Sequence, residues 1–151
     1  MDGAVKGHTN IGGVGVVSRD WRGGFLAAGE QQFSGVTLVP LLELFAVRYG
    51  LQVAQLQGFQ QVVVESDSQK VIAVLNGTYA DSSALGMIAE DVLQLASNFS
   101  RVKFIHASRL CNGVAHHLAK FALSSSNNLV WIEEPPTLIH DLLLQDICNS
   151  K

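Results

Sequence analysis

One run, VVVESDSQKV at residues 62–71, constrains this chain more than any other. It opens with β-branched apolar residues, which favour a buried strand. It turns acidic at Glu65 and Asp67 and enters a helix at Ser68. An ionised group at the end of a buried strand is costly unless it has a partner. A metal ion is one such partner, so the remaining chain must be searched for further ligands.

The bulk properties set the limits. A chain of 151 residues fits one domain. Its 48% hydrophobic and 15% charged content, with mean hydropathy +0.25, excludes a disordered polyelectrolyte. A net charge of −3 gives no global attraction for nucleic acid, so any such binding must come from a local patch and will weaken with salt. Cys111 and Cys148 are too few for a disulfide framework or a zinc site, and they read as reduced thiols. The N-terminal MDGAVKGHTN has no apolar core of a signal peptide. No apolar run approaches the roughly 20 residues that span a bilayer. These features point to a soluble intracellular protein of nucleus or cytoplasm, not secreted and with no membrane partner.

Along the chain, residues 2–5 read as a short strand with an acid at its start, and 6–13 as turn-rich. Residues 14–17 and 25–33 read as two strands joined by the polar hairpin RDWRGG at 19–24. Thr37 is the expected cap of a helix with Pro40 in its first turn, where proline is tolerated. Its stripe is Leu38, Leu41, Leu42, Leu44, Phe45, Val47, Leu51 and Ala54, and Gly58 ends it. A strand at 62–66 and a short helix at 68–75 follow, then a helix at 82–96, a strand at 102–106 and a helix from Asn112 to about residue 123. Residues 124–128 read as a connector. A last amphipathic helix at 138–147 carries leucines suited to the body of the domain or to a protein partner. This order gives an α/β fold: an antiparallel meander extended by parallel strands through helical crossovers, with helices on both faces. The division is 1–124 for the domain, with 125–151 as connector and helix docked on it.

Three acids occupy notable places: Asp2 on the first strand, Glu43 on the first helix and Asp67 ending the fourth strand. In this order of elements the first and fourth strands can be neighbours with the helix crossing them. Converging carboxylates make a hard-oxygen site suited to magnesium, and two such ions can clamp a phosphodiester. The alternative is thirteen acids scattered over an ordinary surface. Glu43 alone is open to two readings, a solvated first-turn charge favoured by the helix dipole or an inward-pointing ligand. GGVG at 12–15 precedes a strand and lacks the lysine of a phosphate loop. Ser66, Ser68 and the histidines form no hydrolase triad.

DGA at Asp2, GVGVVSRDWRG from Gly13, PLLELFAVRYGL from Pro40, VVVESDSQKV from Val62 and HASRLCNGVAHHLAK from His106 occur in order on the corresponding elements. Together they resemble ribonuclease H type 1 domains, over nearly the whole chain. The resemblance is strongest to the plant, retrotransposon-derived, reverse transcriptase-like branch, which the tail VWIEEPP also matches. It implies an RNase H-like fold with a five-stranded mixed sheet flanked by helices. It implies two-metal-ion hydrolysis of the RNA strand of RNA–DNA hybrids with Mg2+. Asp2, Glu43 and Asp67 match the family's acids, His106 the histidine assisting proton transfer or product release, and Gln69 and Asn112 substrate-contacting positions.

The departures from the pattern are informative. The family's fourth acid falls at His116, which takes the place of a metal ligand. Magnesium prefers oxygen to imidazole, so weaker metal binding and a shift toward Mn2+ are expected. Val39 and Pro40 replace asparagines before the helix acid, and NGTYADSS at 76–83 is not a basic handle. Hybrid affinity is therefore expected to be modest. The alternative function is a catalytically weak or inactive RNase H-like module that binds nucleic acid or a protein partner. The family's first strand also runs several residues before its acid. That implies a clipped strand here or a larger parent polypeptide.

Overall fold

The computed structural model describes residues 1–6, 10–20, 22, 24–35, 38–78, 84–108, 113–124, 128–132, 134–135, 137–139 and 143, with Asp2, Lys6 and Leu138 described by their backbone alone. The expected α/β arrangement is present: antiparallel strands, one parallel pair and four helices. Strands β1 (Asp2–Lys6), β2 (Ile11–Arg19) and β3 (Phe25–Ser34) form the antiparallel meander, with Asp2 opposite Gly15. Strands β4 (Gln61–Ser66) and β5 (Arg101–His106) pair in parallel, with Ser66 opposite His106.

Two details of the sheet differ from expectation. Among the described residues the hydrogen-bond ladders form a four-stranded and a two-stranded sheet, where a single sheet of five strands is expected. They meet where the amino group of Met1 donates to the Glu65 carbonyl at 3.3 Å. Residues 129–132, unassigned in the sequence, form a strand β6 (Leu129–Ile132) antiparallel to β3. LVWI is too short for alternation to show, and the cross-strand partners Ala27–Glu30 that select it lie about 100 residues back in the chain.

Helix α1 (Val39–Leu56) is the hub of the packing. Leu42, Ala46, Tyr49 and Val53 pack on Val14, Val16 and Ala27 of the meander. Leu44, Val47, Leu51 and Ala54 face a second core with Val64, α2 (Gln69–Leu75) and α3 (Ala84–Ala96). The helix is thus buried along two stripes, wider than the single stripe read from the sequence. Leu38, counted in that stripe, is 70% exposed. The cap position is Leu38, which gives no side-chain cap, while Thr37 lies outside the described residues. Helix α2 begins one residue later than expected, because Ser68 is its cap, with Oγ accepting from the Val71 N–H at 3.3 Å.

On the opposite face of the meander, α4 (Gly113–Ala122) lies against β1 and β2. The contact is close because both sides are small. A Cβ at Gly15 would overlap the Ala115 carbonyl and the Ala119 nitrogen, and one at Gly13 the Ala119 carbonyl. The glycine run that superficially resembles a phosphate loop is therefore a packing surface inside β2. Ala28, Val114, Leu118, Ile139 and Leu143 form the core on this side. Ile139 ends a single 3-10 turn at Thr137–Ile139, and most of the helix expected at 138–147 lies outside the described residues.

The far side of α1 is tied to the sheet by Tyr49. Its hydroxyl shares one hydrogen between the carbonyls of Glu30 and Leu129, 3.3 Å from each. Burial, and secondarily the charge of Glu30, push the phenol up to about 12.

Two predictions follow from this packing. Gly15→Val should destabilise the fold by about 1–3 kcal/mol in urea unfolding, because the added volume meets backbone rather than a side chain able to turn away. Between pH 10 and about 12 the unfolded chain ionises Tyr49 before the folded one does. Stability must therefore fall as pH rises through that window. In a folded-state ultraviolet titration, one of the two tyrosines should ionise late, and Tyr49→Phe should remove that late step.

Candidate active site

Glu43 lies in the second turn of α1, beyond reach of the first-turn dipole effect, and is 4% exposed. It is the inward-pointing acid of the two readings, not the solvated one. Oε1 accepts from the Gly3 N–H at 3.1 Å and Oε2 from the Ser66 hydroxyl at 3.5 Å. Gly3 follows Asp2, and Ser66 precedes Asp67. One carboxylate thus joins the two strands at the residues flanking the other two acids. The approach depends on Gly3, where a Cβ would crowd the Cβ of Leu42.

Asp67 is half-buried directly after β4. The backbone of Asp2 sits in β1 at the pair with Gly15, and its side chain lies outside the described atoms. His106 ends β5, exposed and opposite Ser66, and the next residue, Ala107, donates its N–H to the Ser66 carbonyl at 2.9 Å. Gln69 is exposed in the first turn of α2. His116 is half-buried on α4, one residue past the Ala115 carbonyl that rests on Gly15. Its helix turn therefore crosses the strand pair that carries Asp2. Asn112 lies outside the described residues.

The structure brings Glu43 to the neighbours of Asp2 and Asp67, at one end of the β4–β5 pair. Among the described residues, no three His, Cys, Asp or Glu side chains gather as a metal-holding group. Glu43 and Asp67 are hard oxygen donors, and Asp2 is the acid whose backbone position would complete the set. No helix among the described residues is long and apolar enough to cross a membrane.

Two buried polar side chains escaped the sequence analysis as structural elements. Ser66 is fully buried, and its signal is the alternation of β4. Val62, Val64 and Ser66 point inward while Val63 and Glu65 point out, so a hydroxyl occupies a core position. Glu30 is also fully buried, sharing its side of β3 with Ala28. It ends a run of four consecutive buried residues, Ala27 to Glu30, so no alternation in the sequence marks it.

Residues 1–122 match the family described as reverse transcriptase-like. The chain belongs to the reverse transcriptase-like family and has the RNase H fold. An Arabidopsis thaliana protein that carries a ribonuclease H name is 29% identical over 153 residues, covering 99% of this chain. The chain spans 24% of that relative's length. RNase H1 of the halophilic archaeon Halobacterium salinarum superposes with a TM-score of 0.77 at 28% identity, over 82% of this chain and 93% of its own. LC11-RNase H1, solved in complex with an RNA/DNA hybrid, shares the fold with a TM-score of 0.74 at 22% identity, over 82% and 93% of the two chains.

In this RNase H-like domain, Glu43→Ala should leave the Gly3 N–H and the Ser66 hydroxyl without this acceptor in a largely buried seam. The expected loss is about 1–3 kcal/mol in chemical denaturation. A stability equal to wild type would show that the Glu43 hydrogen bonds do not hold the strands together.

Proposed function

We propose that this RNase H-like domain hydrolyses the RNA strand of RNA–DNA hybrids at the end of β4 and β5. The observation that carries the reading is the Glu43 carboxylate, buried and bonded to the residues adjoining Asp2 and Asp67. A buried acid on an amphipathic helix is unusual in a core. Its placement between two further acids makes sense if the cluster serves a polyvalent cation.

Asp2, Glu43 and Asp67 would hold magnesium, their oxygens being the donors it prefers. When bound, the ions lower the pKa of water and neutralise charge on the phosphodiester. The protein's own part is positional. Glu43 is immobilised by donors from two strands, and Asp67 is fixed between the end of β4 and the cap of α2. His106 is exposed at the end of β5, where it would assist proton transfer at the leaving oxygen. Gln69 presents its amide from the first turn of α2, on the same end of the sheet, where a nucleotide can be met.

One observation favours the second reading, a weak or inactive binding module. His116 stands on α4 where the resemblance places an acid, and it removes one negative charge from the cluster. Its effect is a testable matter of chemistry rather than of fold.

Cleavage of labelled RNA in a hybrid, in magnesium and separately in manganese, tests the proposal. Wild type should cut, Asp67→Asn should fall to background, and His116→Asp should raise the magnesium-supported rate. Wild type indistinguishable from Asp67→Asn in both metals would sink the nuclease reading. A rate unchanged by His116→Asp would show that the fourth position does not limit the site.

A further inference from the structure

Ser66 is fully buried at the last inward position of β4, between Glu43 and Asp67. Its oxygen accepts from the Ser68 N–H at 3.2 Å, closing a tight turn whose central residue is Asp67. Its hydroxyl donates to Glu43 Oε2 at 3.5 Å, long for such a bond. A serine has one hydrogen to give. The acceptance from Ser68 and the donation to Glu43 therefore use the hydroxyl in both senses at once. The turn is anchored beyond Asp67 as well, because Ser68 Oγ accepts from the Val71 N–H. At its near end the Ser66 carbonyl takes the Ala107 N–H of the neighbouring chain segment.

We infer that Ser66 is a positioning residue, whose single hydroxyl sets the Glu43 and Asp67 carboxylates in fixed relation so that they meet a divalent cation as a preformed pair. The inference rests on the metal-site reading above. Packing alone does not call for a hydroxyl here. Val62 and Val64 fill the two preceding inward positions, and alanine would fit the space of serine. What alanine cannot do is hold the Ser68 N–H and Glu43 Oε2 simultaneously. Glu43 would keep the Gly3 bond and stay inward, and α2 would keep its Ser68 cap. The link that Ser66 makes between Glu43 and the Asp67 turn would be lost while these supports remain.

This separates positioning from folding. Metal affinity is measured by calorimetric titration of the whole chain with MnCl2. Thermal unfolding is followed in EDTA and again in excess MnCl2. Wild type should bind and gain stability with metal, and Asp67→Asn should lose both. Ser66→Ala should bind roughly 10–100-fold more weakly, the range found when a group orienting a metal ligand is removed. Ser66→Thr, which keeps the hydroxyl, should recover affinity. Ser66→Cys keeps the volume with a weak donor and should bind like Ser66→Ala, which tests the idea even if the alanine variant fails to fold. Wild-type affinity in Ser66→Ala or Ser66→Cys overturns the assignment of Ser66 alone. Equal, negligible binding by wild type and Asp67→Asn overturns the metal-site reading and the Ser66 assignment with it.

Discussion

The structure depends on one buried carboxylate. Among the described residues the strands are hydrogen-bonded as two sheets, and the Met1 amino group donates to the Glu65 carbonyl where β1 approaches β4. Glu43 spans that seam, taking a backbone donor from β1 with one oxygen and a hydroxyl from β4 with the other. A carboxylate with both oxygens engaged offsets much of its desolvation. It also converts helix α1 from a cover over the sheet into a cross-brace between its parts.

The brace holds because α1 cannot rotate. Two apolar stripes lie in two different cores, so turning the helix would expose one stripe or the other. Six residues along, Tyr49 performs the complementary task toward β3 and β6 through the Glu30 and Leu129 carbonyls. The helix is thus pinned to both halves of the sheet by polar groups at fixed points and by apolar packing between them. A site assembled on such an element inherits its rigidity, which is what oriented ligands require.

Much of this was legible in the sequence, for local reasons. The meander, the parallel pair and the four helices announce themselves by periodicity and turn chemistry. What was not legible depended on distant partners. The strand β6 exists because β3 offers it a ladder. The double burial of α1 exists because two sheets flank it, and no single-helix pattern distinguishes that from one wide stripe. GGVG was rightly excluded as a phosphate loop, but its role as a seat for Ala115 and Ala119 needs α4 in place. At the site, the elements that carry Asp2, Glu43 and Asp67 made them candidates beside a scattered-surface alternative and the family resemblance matched them, yet the sequence could not decide whether Glu43 faced water or the core. That choice is made by Gly3 and Ser66, which lie 40 and 23 residues from it.

His116 shows how fold and chemistry separate in this domain. The glycines of β2 fix the height and register of α4 with contacts to main-chain atoms, which admit almost no adjustment. The residue at position 116 is therefore carried to the same place over the β1–β2 pair whatever its side chain. An imidazole there alters charge and donor softness but not geometry. The packing keeps the platform intact whether or not a fourth acid stands on it. A well-formed fold is then weak evidence for full activity, and what the fold itself supplies is Glu43, bonded across the seam to the residues that adjoin Asp2 and Asp67.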